Sequence, residues 1–192
     1  PELNLRDNWK NLNGLFNKPI QFRFFKDVED PYYNQVFYNI YTDYNYYDGI
    51  IIGPRIYNES LFKKRWLYKI TPLYGTNSKS IIGSFSFVYQ SIPEETSVYS
   101  YVAGIGGSNY HYAPNLRYKT LTPFFSIQFK RKSLRDVGGK SLTARYVIVD
   151  RQTAHGVEST DSDKYNVLNV RFGYAKPEII KDLRYSFDFQ LG

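Results

Sequence analysis

Alternation of apolar and polar side chains over long segments is the feature that most restricts how this chain can fold. Segment 182–191 shows it most clearly, because every second residue is apolar and the residues between are polar or charged. Successive side chains of a β-strand point to opposite faces, so this period of two predicts an amphipathic strand. Strong alternation recurs in 36–46, 80–90, 120–129 and 168–174, and weaker alternation in 20–26, 49–57, 66–74, 99–112 and 141–150.

The predicted strands are long: there are about ten of them, each of about nine to twelve residues, which is the length that crosses a bilayer when tilted. Strands of soluble proteins are usually about five or six residues long. The sequence therefore predicts an all-β fold, an antiparallel transmembrane β-barrel that is either complete or partial within these residues. We expect 1–18 to lead into the barrel domain, which spans 19–192.

Aromatic residues favour the membrane interpretation. The 192 residues include Tyr 20, Phe 14 and Trp 2, about twice the ordinary aromatic usage. Tyr and Trp prefer a lipid–water boundary, where the ring meets acyl chains and the polar group reaches water. The predicted interfacial aromatic residues are Tyr44, Tyr46, Trp66, Tyr68, Tyr99, Tyr101 and Tyr174. The predicted lipid-facing residues are Phe85, Phe87, Phe125, Ile127, Phe187 and Phe189.

Composition excludes several kinds of chemistry. The chain has no Cys, which removes disulfides, thiolate zinc sites and Cys nucleophiles. It has two histidines, His111 and His155, and no HExxH motif, so we expect no catalytic residue, no metal ligand and no bound cofactor. His111 is predicted to lie at the barrel rim. Glu158, Asp161 and Asp163 are acidic, but their spacing does not match a calcium-binding loop.

The net charge of +7 is spread along the chain. Several cations alternate with apolar residues, which suits a polar barrel interior, and the basic groups 63–65 and 130–132 suit contact with lipid phosphates. The chain contains no Met and begins with Pro1, so we expect a processed product or part of a longer protein.

Several strings together resemble a known family, namely the C-terminal outer-membrane barrel portion of large Bacteroidota metallopeptidases of the gluzincin (aminopeptidase-like) type. The resemblance covers most of the chain and is carried by NWKNLNGLFNKPIQFRFFKDVEDPYYNQVF, YNYYDGIIIGPRIYN, TPLYGTNSKSIIGSFSF, NYHYAPNLRY, LTARYVIVDRQ and YNVLNVRFGYAKPEI. It implies a periplasmic peptidase-like domain that precedes the barrel and binds zinc through HExxH and a later Glu. None of those residues occurs here, so zinc is expected only in a longer parent protein.

The expected function is that of an outer-membrane anchor or docking scaffold for such a domain, or a subunit of a larger outer-membrane complex. Expected partners are outer-membrane lipid, lipopolysaccharide and other outer-membrane or periplasmic proteins, without nucleic acid. Two alternatives remain open at this point: a transport pore, and a soluble aromatic-rich β domain that binds carbohydrate or nucleic acid.

Overall fold

The computed structural model describes residues 18–28, 30, 32–61, 64–94, 96–131, 133, 135–154, 163–177 and 182–192. Every regular element in these ranges is a β-strand, as the alternation predicts. No helix among the described residues is both long enough and apolar enough to span a membrane. The strands are β1 (Ile20–Phe24), β2 (Asn34–Asn45), β3 (Gly49–Tyr57), β4 (Trp66–Gly75), β5 (Ser80–Ser91), β6 (Val98–Ala113), β7 (Leu116–Phe129), β8 (Gly139–Arg151), β9 (Lys164–Pro177) and β10 (Asp182–Leu191).

The ten strands form one sheet in which the order along the sheet is the order along the chain. All the predicted strand segments are confirmed, although their lengths run from 5 residues in β1 to 16 in β6. Within the described residues the sheet is not closed into a barrel, and β1 and β10 are its two edges. Of the predicted lead-in segment only Lys18 is described, and its carbonyl accepts a hydrogen bond from the Asn34 side chain at 2.9 Å.

One strand pair departs from the predicted antiparallel arrangement. β1 runs parallel to β2, whereas β2 to β10 are antiparallel throughout. The start of β2 lies beside the start of β1, and described residues on either side of the pair hold it there. Phe25, at a φ of 61°, donates its N–H to the Tyr38 carbonyl at 2.9 Å, and Asn34 donates to the Pro19 carbonyl at 2.8 Å.

The connections distinguish the two ends of the sheet. At the end that we call the tight-turn end, β2–β3, β4–β5 and β6–β7 are joined through 46–48, 76–79 and 114–115. At the opposite end, which we call the loop end, β3, β5, β7 and β9 finish and β2, β4, β6, β8 and β10 begin. β8 ends and β9 begins at the tight-turn end, and the acidic residues Glu158 and Asp161 between these strands are outside the described residues.

Prolines and glycines interrupt the ladders within the central strands. The β3–β4 pairing stops between Ile52↔Tyr74 and Ile56↔Ile70, the stretch that contains Pro54 and Pro72. Proline has no N–H to donate to a ladder, which explains the gap. Pro72 lies opposite Gly83 of β5, and Gly83 has a φ of +137° and room for no side chain, because a Cβ there would lie 2.0 Å from the Thr71 carbonyl oxygen.

A Gly83→Ala substitution is therefore expected to lower the free energy of unfolding by about 1–3 kcal/mol, because alanine must adopt a rarely populated backbone conformation or push β4 away. Urea unfolding in detergent micelles measures this. Gly106→Ala in β6 is the matched control, because the nearest atom to its added Cβ is a carbonyl oxygen at 3.6 Å. Equal midpoints for the two variants would contradict the account of Gly83.

A small hydrophobic cluster lies toward the tight-turn end. Ile51, Leu73 and Ile82 are almost fully buried, and Tyr41 and Tyr110 pack against them. These residues occupy positions that alternate with the predicted lipid-facing ones. The face predicted to be polar is thus partly filled by side chains instead of being wholly open to water.

Candidate functional site

The strand register places the predicted lipid-facing residues on a single face of the sheet. Directly opposed residues of neighbouring strands project from the same face. Phe85 lies opposite Ile70 and Gly107, Phe125 lies opposite Ala103 and Ala144, and Phe187 lies opposite Phe172. Phe87, Ile127 and Phe189 lie two residues along the same strands and share that orientation. We call this surface the apolar face.

The apolar face continues from strand to strand across the sheet. One row of opposed residues that crosses nine strands is Phe24, Tyr38, Ile56, Ile70, Phe85, Gly107, Leu121, Ile148 and Asn166. The glycine in that row accommodates a ring, because a Cβ on Gly107 would lie 2.7 Å from the Phe85 ring. Six of the nine residues carry aliphatic or phenylalanine side chains, and Asn166 is the one polar amide of the row. The row is therefore mostly apolar.

Many side chains of the apolar face are exposed. The exposed fraction is 71 % for Ile81, 67 % for Phe187 and 41 % for Phe125. Soluble monomers rarely expose a contiguous apolar patch of more than a few hundred Å². The apolar face extends over neighbouring strands of the sheet, so it is a candidate contact surface.

The predicted interfacial aromatic residues lie toward the two ends of the sheet. Tyr44 and Tyr46 are at the tight-turn end. The other five, which we call the loop-end girdle, are Trp66, Tyr68, Tyr99, Tyr101 and Tyr174. Rings connect neighbouring strands there: Trp66 contacts Tyr89 at a centroid distance of 4.6 Å, Tyr89 contacts Tyr101 at 5.9 Å, and Tyr174 contacts Tyr185 at 5.0 Å.

The opposite face, which we call the polar face, is held by hydrogen bonds between side chains of neighbouring strands. Ser126 and Thr143 hydroxyls are 2.9 Å apart. Arg171 Nε donates to Asp188 at 2.7 Å. This ion pair joins β9 to β10 on the polar face.

A buried acid–imidazole pair joins two turns of the sheet to the end of β6 at the tight-turn end. Asp48, in the β2–β3 turn, is fully buried, and its Oδ1 lies 2.5 Å from Nδ1 of His111 near the end of β6. Its Oδ2 accepts hydrogen bonds from the His111 backbone N–H and the Asn45 side chain, both at 3.2 Å. The Asp48 carbonyl also accepts from the Asn77 N–H of the β4–β5 turn at 2.8 Å.

The rim prediction for His111 concerned its position and did not foresee its burial. His111 lies near a strand end as expected, but it is only 6 % exposed. Asp48 is followed by Gly49, a pair typical of turns, and no spacing rule connects it to a histidine 63 positions later. Only the register that brings the β2–β3 turn beside the end of β6 reveals the pair.

The described residues contain no group of three or more His, Cys, Asp or Glu side chains placed to hold a metal ion. His155, Glu158 and Asp161 lie outside the described residues. Comparisons with protein-family models, with curated proteins and with solved structures found no match to this chain.

Proposed function

We propose that this chain is a membrane-embedded wall segment of an outer-membrane β-barrel and serves as an anchor or docking scaffold. The observation that carries the proposal is the apolar face: one exposed apolar surface that extends across neighbouring strands. A bilayer supplies an apolar covering for this surface, and strands of this length suit the hydrocarbon thickness.

The position of aromatic side chains supports the same proposal. Phe85, Phe125 and Ile127 lie in the middle of the apolar face, together with Tyr38 in the row of Phe85. The seven predicted interfacial aromatic residues all lie toward its ends. That is the distribution expected when the middle faces acyl chains and the ends face headgroups. A soluble sheet that bound carbohydrate or nucleic acid would need its rings concentrated at one binding site.

Membrane association of matched triple variants tests the proposal. Phe85→Glu, Phe125→Glu and Phe187→Glu together place three carboxylates on the apolar face. The control combines the sequence neighbours on the polar face, Ser86→Glu, Ser126→Glu and Ser186→Glu. Both variants carry the same added charge in the same three strands, and they place it on opposite faces of the sheet.

We expect the unmodified chain and the serine triple variant to fold into phosphatidylcholine vesicles, float with them in a density gradient and resist extraction at alkaline pH. The phenylalanine triple variant is expected to remain at the bottom of the gradient. A monodisperse unmodified chain that melts cooperatively without detergent would overturn the proposal, as would equal flotation of the two triple variants.

A further inference from the structure

A cavity of about 940 Å³ lies at the loop end of the sheet. It is bounded by the start of β6, the end of β7 with the residues that follow it, the start of β8 and the adjoining parts of β9 and β10. The lining residues that matter chemically are Tyr99, Lys130, Arg131, Lys140, Tyr174 and Tyr185.

The polar part of this lining is cationic. It contains three cations, Lys130, Arg131 and Lys140, and no acidic residue among the described residues that form it. Lys130 Nζ donates one hydrogen bond to the Glu94 carbonyl at 2.5 Å, which holds the ammonium in place and leaves its other two protons for a ligand. An adjoining depression of about 800 Å³ shares these three cations and adds Lys176 and Asp136.

The apolar part of the lining comes from rings of the apolar face. Lys140 lies opposite Tyr174 in the β8–β9 register, and Tyr174 packs on Tyr185. Tyr185 in turn contacts Phe187 at a centroid distance of 5.8 Å, which continues the ring surface toward the middle of the sheet. Cations therefore lie at the end of the sheet, and rings extend from them along the strands.

We propose that this cavity binds the phosphate of a phosphorylated amphiphile. Lys130, Arg131 and Lys140 contact the phosphate oxygens, since charge-assisted hydrogen bonds from lysine and arginine are the usual phosphate contacts. Acyl chains lie along Tyr174, Tyr185 and Phe187. This inference names a ligand class and a site for the proposed membrane function. The placement of the acyl chains rests on that function.

Calorimetric titration of the chain in neutral detergent micelles tests the inference with three probes: short-chain phosphatidic acid, phosphatidylcholine of the same chain length, and inorganic phosphate. We expect phosphatidic acid to bind at least tenfold more tightly than either of the others, because only it presents both a phosphomonoester and acyl chains. Stronger binding of inorganic phosphate than of phosphatidic acid would assign the site to a free anion and overturn the lipid proposal.

Substitutions locate the binding. Arg131→Gln with Lys140→Gln is expected to weaken phosphatidic acid binding about tenfold or more, since each loses a charged hydrogen bond. Arg117→Gln with Lys119→Gln is the matched control, because both cations lie in β7 toward the tight-turn end and this double variant removes the same charge. An equal loss in the control would show that general electrostatic attraction, and not the cavity, binds the lipid.

The outcome is separable from that of the membrane proposal. A chain that floats with phosphatidylcholine vesicles but does not prefer phosphatidic acid would retain the anchor function and overturn the site. A chain that prefers phosphatidic acid in micelles but does not float with vesicles would retain the site and overturn the anchor. If a short single-stranded oligonucleotide displaced phosphatidic acid at an equal concentration, the cavity would not be a lipid site.

Discussion

A Phe125→Arg substitution is expected to lower the free energy of unfolding in lipid by about 2–4 kcal/mol, the range for an arginine near the bilayer middle on the outside of a barrel. Phe125 is in β7 and lies between Ala103 and Ala144 of the neighbouring strands. Those two small side chains leave its ring 41 % exposed on the apolar face. The arginine would therefore have to enter acyl chains or bend toward a headgroup.

The measurement is reversible urea unfolding of the chain in phosphatidylcholine vesicles, followed by tryptophan fluorescence. Ser126→Arg is the control, because Ser126 is the next residue along β7 and faces the other side of the sheet. It loses a hydrogen bond with Thr143, so its expected cost is about 1 kcal/mol. If the apolar face met water instead, Phe125→Arg would change stability by only about 0.5 kcal/mol, and that result would contradict the membrane proposal.

An Asp48→Ala substitution is expected to destabilise the protein by about 3–5 kcal/mol, the range for removing one member of a buried pair of charged or strongly polar groups. The Asp48 carboxylate accepts from the His111 ring, the His111 backbone and the Asn45 side chain. Its removal leaves buried donors without an acceptor. The β2–β3 turn would also lose its connection to β6, so we expect faster hydrogen exchange at both places.

Asp43→Ala is the control for this second prediction. Asp43 is an exposed carboxylate in β2 that bonds the Tyr41 hydroxyl at 3.1 Å and the Tyr44 N–H at 2.8 Å. Because water replaces those contacts, its loss is expected to cost about 1 kcal/mol or less. Comparable urea midpoints for the two variants would mean that burial of Asp48 does not stabilise the tight-turn end.

The strands could be predicted from the sequence because alternation is a local property. β10 was predicted with the bounds that the structure has, and its five apolar residues fall on the same face as those of β5 and β7. Turn sequences such as Asp48-Gly49 and Pro114-Asn115 are local too, and they stand where strands end. The alternation along each segment therefore predicted both the strands and the face of the sheet on which each side chain lies.

What the sequence did not reveal depends on neighbours far apart in the chain. The parallel direction of β1 follows from backbone hydrogen bonds of Phe25 and Asn34, which leave no periodic signal. The Asp48–His111 pair and the cavity around Lys140 each require the register between strands. The predicted lipid-facing set stays a prediction about environment, since the structure shows only that its members share one exposed face.

The parallel β1–β2 pair gives the two edges of the sheet the same polarity. Strand direction alternates from β2 to β10, so β10 runs in the same direction as β2, and β1 does too. If β10 met β1 directly, the seam would be a parallel ladder, which is somewhat less stable per residue than an antiparallel one. Each further strand placed between β10 and β1 reverses the strand direction once. A closed barrel in which all the added pairings are antiparallel therefore needs an odd number of strands beyond these ten.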